Sequence, residues 1–166
     1  MARIEIDCEG GPIVIEADDN GITIYGIDVE AERAAKAIGF DPSPCLVALD
    51  NDLIVNAKYG HADVVELLLA AGADVHARND NALGWAAGNG HARVAKILLA
   101  AGADVHADND LPLQWAARYG HADVVELLLA AGADVHAVGD YALEIAGDHD
   151  DADVVKVLEE WIEEHG

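Results

Sequence analysis

Apolar residues fall along this chain in short bursts of helical period, parted by polar turns. Val64, Val65, Leu68 and Leu69 stand at i, i+1, i+4 and i+5, one stripe of a helix. Ala70 and Ala71 extend the stripe, and Gly72 follows as a C′ residue. The burst then returns with a period of 30 residues. Gly60–Ala77 reads GHADVVELLLAAGADVHA, and Gly120–Ala137 repeats it residue for residue. Gly90–Ala107 reads GHARVAKILLAAGADVHA, and the end of the chain, DDADVVKVLEEWIEEHG, is a decayed copy. A period of this size marks stacked units, none of which can bury its apolar face alone.

Each unit is expected to hold two helices. The first is the shorter: Leu83, Trp85, Ala86 and Ala87 form one, and Leu113, Trp115, Ala116 and Ala117 the next. Their alanines allow close helix approach, Pro112 suits a helix start, and Gly90 and Gly120 break the chain before the second helix. Asp80, Asp110 and Asp140 recur at the connecting turn, as helix caps or Asx-turn residues. Asp50, Leu53, Val55, Ala57, Gly60 and His61 fall in the same register one period earlier. The pattern thus predicts first helices near 51–58, 81–88, 111–118 and 141–147, and second helices near 62–71, 92–101, 122–131 and 152–164. Glu159, Glu160, Glu163 and Glu164 give the last helix a polar outer face, as the open end of a stack requires.

Residues 1–45 do not repeat. Ile4, Ile6 and Cys8 alternate with charged residues, Ile13 and Ile15 continue after a Gly-Gly-Pro turn, and Asp19-Asn20-Gly21 signals a hairpin into Ile22–Tyr25. Asp28 can cap a helix running to about Ile38. The segment reads as a β-meander plus helix that caps the stack, joined to it by Asp41-Pro42-Ser43-Pro44. The repeating part, residues 46–166, divides into units near 48–77, 78–107, 108–137 and 138–166.

The segments GADVHA, LPLQWAA and GHADVVELLLAAGAD resemble the ankyrin repeat, in a 30-residue variant of the usual unit of about 33 residues. The resemblance implies a mainly α solenoid of stacked helix-turn-helix units. The missing residues fall where the ankyrin β-hairpin finger projects, so the finger is expected to be short. The resemblance also implies partner binding by the turn tips and the exposed face of the first helix. Carried over by register, the positions before the inter-helix glycine are Lys58-Tyr59, Gly88-Asn89 and Arg118-Tyr119, with Asp148-His149 in the fourth copy. The turn positions are Arg78, Asn79 and Asn81, then Asp108, Asn109 and Leu111, then Val138, Gly139 and Tyr141; Gln114 adds to the same face. Gly84 and Gly88 weaken one helix by up to about 1 kcal/mol each and suggest a dent in the concave surface. Asn56 replaces the alanine of the other copies and must find a polar partner, which the cap could supply.

Composition narrows the partner. The 166 residues carry 9 Lys and Arg against 32 Asp and Glu, a formal charge of −23, which disfavours nucleic acid and anionic membrane. With 52% apolar residues, the chain can still build a core. The acid-rich composition suits a high-salt cytoplasm, and the near-identity of the copies also suits an engineered consensus scaffold. A soluble cytoplasmic monomer without a secretory signal is expected. Cys45 aligns with Val75, Val105 and Val135 and reads as a small core side chain; Cys8 shares a strand face with Ile4 and Ile6. Six of eight histidines belong to the repeat. His61, His91 and His121 resemble the family's loop-bracing histidines, and His76, His106 and His136 stand too far apart to share a metal. No phosphate loop, G-x-S-x-G or HExxH occurs, so neither cofactor nor metal is expected. The expectation is a non-enzymatic protein-interaction module or scaffold, with a partner that carries a basic patch. The alternative is a hydrolase-type site using Cys45 or a histidine near the Gly84/Gly88 hollow.

Overall fold

The computed structural model describes residues 2–6, 13–18, 21–25, 43–149 and 151–165. Strands β1 (Ala2–Ile6), β2 (Ile13–Asp18) and β3 (Gly21–Tyr25) form an antiparallel sheet in the order β1-β2-β3. Its register sets Ile4 opposite Ile15 and Ile15 opposite Ile24, so like residues share a face. The helix expected over 28–38, and with it the capping of the stack, falls on residues outside the described ones, as does Cys8.

Among the described residues eight helices follow: α1 (Ser43–Lys58), α2 (Ala62–Ala70), α3 (Ala77–Gly88), α4 (Ala92–Ala100), α5 (Ala107–Arg118), α6 (Ala122–Ala130), α7 (Ala137–Asp148) and α8 (Ala152–His165). They form four pairs. The first helices α1, α3, α5 and α7 pack in one row, the second helices α2, α4, α6 and α8 in another, and each helix touches its partner. Leu53, Leu83 and Leu113 are buried at one register of the first row, and Leu68, Leu98, Leu128 and Leu158 at one register of the second. Burying one such side chain contributes ~1.5–3 kcal/mol. The apolar stripe therefore runs through all four pairs as one continuous core.

The second helices end as their sequence requires. Gly72 takes φ +93°, its N–H donates to the Leu69 carbonyl at 3.1 Å, and the Ala73 N–H donates to the Leu68 carbonyl at 3.0 Å. This is a Schellman motif, which satisfies carbonyls the helix leaves open.

The shortened finger is a left-handed turn. Arg78, Asn79 and Asp80 take φ of 53°, 61° and 55°, and Asp108–Asp110 and Val138–Asp140 repeat the conformation. The first pair differs from its expected shape. There α1 runs unbroken from Ser43, so Ser43 and Pro44 belong to the helix and not to a connection. The cause lies in the residues. Asn79, Asn109 and Gly139 tolerate positive φ; the matching residue is Leu49, which stays helical and is buried. Pro44 costs little so near a helix start. Cys45 is thus helical although Val75, Val105 and Val135 are not, and its side chain is outside the described ones.

Candidate functional site

The turn aspartates do not cap helices; they tie neighbouring pairs together. The Asp80 carboxylate accepts from the Asp104 N–H at 2.9 Å, and that of Asp110 from the Asp134 N–H at 2.8 Å. Asp50 does the same for the Asp74 N–H at 2.7 Å. Within each turn, the His76 and His106 rings donate through Nδ1 to Asp80 and Asp110 at 3.1 Å. Asp80 and Asp110 are buried. In the last turn, His136 meets Asp140, and this hydrogen bond raises the His136 pKa above the usual histidine range.

A second set of histidines braces the first helices from the pair that follows. The His91 Nε2–H donates to the Lys58 carbonyl at 3.0 Å, and that of His121 to the Gly88 carbonyl at 3.2 Å. These carbonyls end α1 and α3, where the helix itself offers no donor. The glycine after each helix gives the ring its place: a Cβ at Gly90 would lie 2.6 Å from His121 Nδ1. Asn56 finds polar partners within its own pair, and the contact expected from the cap falls on residues outside the described ones. Its amide donates to the Asp52 carbonyl at 2.8 Å and accepts from His61 Nδ1 at 3.0 Å. Burial pushes the nearby Asp52 carboxyl above the usual carboxylate range.

Most turn-tip residues expected to face a partner are spent on the stack. Arg78 donates to Asn51 Oδ1 at 2.7 Å, and Asn79 to Asp108 Oδ1 at 2.6 Å. Gln114 donates to the Asn109 carbonyl at 2.7 Å. Asn81, Leu111 and Tyr141 are half-buried between first helices, with Tyr141 against the core. Val138, Gly139 and His149 are exposed, and the Asp148 side chain is outside the described ones.

Exposed tyrosines stand at the C-terminal ends of the first helices. Tyr59 and Tyr119 are 61% and 58% exposed, and Arg118 is exposed beside Tyr119. Between α3 and α5 an open hollow of about 640 Å³ is lined by Trp85, Gly88, Asn89, Trp115, Tyr119 and His121. The dent expected at Gly84 and Gly88 is not empty on both residues. Trp115 covers Gly84, which is buried, and its ring lies so close to Gly88 that a Cβ there would sit 3.2 Å from it. The hollow opens beside Gly88. Asn89 turns its amide back to the Trp85 carbonyl at 2.8 Å. The Trp85 and Trp115 rings stand 5.4 Å apart at 58°, and Lys58 Nζ lies 4.3 Å from the Trp85 ring centre.

The two tryptophans and His121 were missed as site residues, because in the sequence they read as helix core and loop brace. One signal was available: at their register the first pair has Val55 and the last Ile145, so a bicyclic ring exceeds what the row needs for packing. Among the described residues, no cluster of three or more His, Cys, Asp or Glu side chains is placed to hold a metal ion. Nor is any helix among them long and apolar enough to cross a membrane.

Two comparisons bear on this arrangement. A family model for ankyrin repeats, in three copies, matches residues 53–139. No curated protein matches the chain.

Proposed function

The chain belongs to the ankyrin-repeat family, whose repeats generally serve protein–protein interaction, and we propose that it is a non-enzymatic module binding a protein partner along the exposed face of its first helices. The hollow beside Gly88, walled by Trp85 and Trp115 and rimmed by the exposed Tyr119, carries this reading. Aromatic side chains and arginine are favoured contact residues, because they bury much area with few torsions to freeze. The hollow is held by inter-pair hydrogen bonds that exist before any partner arrives, which lowers the ordering cost of binding. Small residues at the contact, Ala86, Ala87, Ala116 and Ala117, let the first helices approach closely and favour a row that curves toward them. The charge of −23 steers in a partner with a basic patch.

The test is a peptide-display selection against the immobilised protein, followed by the double variant Arg118→Ala, Tyr119→Ala. Selected peptides should lose at least about tenfold in affinity on the variant while its melting curve stays put. Peptides that bind both proteins equally would move the site elsewhere.

A further inference from the structure

We propose that the hollow beside Gly88 takes one cationic side chain of the partner protein, a lysine or arginine seated over the ring of Trp115. The proposal rests on the partner-binding reading above and names the chemistry of that partner.

The repeat itself supplies the argument. In the first helix row, the chain places its own cation on an indole: Lys58, near the end of α1, lies 4.3 Å from the Trp85 ring centre on α3. Such a pair is stabilised by attraction between the charge and the ring quadrupole. One period on, Lys58 corresponds to Gly88 and Trp85 to Trp115. The indole is repeated and the cation is not. Among the described residues no lysine or arginine of this chain lies over Trp115 as Lys58 does over Trp85. A further period on, the cation returns as Arg118 but the ring is replaced by Ile145. The Trp115 position is therefore the one place in the row with an indole at the repeated register and a residue without a side chain in front of it. That is also where the hollow opens.

The occupant follows from charge. A chain with 32 acidic and 9 basic residues draws cations to its surface, and the face of the Trp115 indole offsets part of the hydration a cation gives up on entering the hollow. An aromatic or aliphatic side chain would fit the walls but would gain nothing from the field. Tyr119, at the rim, adds a second ring edge to the side chain that enters.

The experiment uses the full chain with its three tryptophans, followed by the indole N–H signals. The probes are a short oligolysine peptide, the matching oligoarginine, the same oligolysine with every amine acetylated, and a neutral phenylalanine-bearing peptide of equal length. The cationic peptides should shift Trp115 far more than Trp161, and Trp115→Leu should weaken them about tenfold. Gly88→Lys, which sets a cation at the register of Lys58, should block them; Ala101→Lys, which adds the same charge at the exposed end of the second helix row, should not. Equal binding of the acetylated peptide, or an unmoved Trp115 while oligolysine binds, overturns the proposal. A displayed partner that needs Tyr119 but sets a phenylalanine or leucine on Trp115 overturns the cation and leaves the interaction surface standing.

Discussion

Val138 is the residue that fits its place worst. It opens the last left-handed turn at φ 56° and ψ 30°, and its side chain is 64% exposed, so packing returns little for the strain. The left-handed region costs a side-chain-bearing residue ~1–2 kcal/mol, and a β-branched one resists it most. Val138→Asn should therefore raise the unfolding free energy by about 1 kcal/mol, read from denaturant curves of unchanged slope; no gain would mean the turn is already relaxed. Two residues to either side of it, His136 and Asp140 form an exposed pair whose hydrogen bond favours the charged imidazole. The His136 midpoint in an NMR titration should lie above the ordinary value of about 6.5 and fall back in Asp140→Asn. A raised histidine pKa means that the folded chain holds the proton more tightly than the unfolded one. The pair's contribution is then complete below the unfolded value and fades as pH rises through the folded one.

At the scale of elements, the joints between helices decide how far the stack could be read from the chain. Gly90 combines two demands, φ +73° and a His121 ring where a Cβ would stand. Gly90→Ala should cost at least ~2 kcal/mol, since it adds left-handed strain to a clash. It should also loosen the bond from His121 to the Gly88 carbonyl, seen as faster amide exchange at the start of α4; a stability unchanged within error would refute the close approach. The helices themselves were legible because their apolar spacing and terminal glycines are local signals: α2, α4 and α6 end where Gly72, Gly102 and Gly132 say they must. What was not legible depends on neighbours. That Leu49 would carry α1 straight through the register of a turn follows only when αL tolerance is weighed residue by residue. That Asp80 would hold the next pair's Asp104 N–H, and Arg78 the previous pair's Asn51, requires knowing the distance between pairs. The same ignorance hid the tryptophans, which local pattern assigns to the core and the stack leaves half-exposed.

For the whole molecule, the identity of Gly60–Ala77 with Gly120–Ala137 is a physical statement about interchangeable neighbours. The second helix and turn of the first pair already see the same local sequence as those of the third. A second copy of residues 61–120 inserted after Gly120 would therefore meet native sequence at both joints and extend the four pairs to six. In a stack with nearest-neighbour contacts, each added pair contributes its own term plus one interface. The enlarged chain should gain helical signal in proportion to the four added helices, unfold with a steeper denaturant slope and show a higher midpoint. Interfaces would not all be equal. At the new junction Arg118 would stand one period before a copy of Trp85, in the relation that Lys58 has to Trp85 now, so this boundary would carry a cation on its indole where the native Trp115 has none. A midpoint below that of the parent chain would show that the pairs are not interchangeable. The charge pattern of the second helices, in which Arg93 of α4 pairs with Asp63 of α2, would then be the first contact to examine.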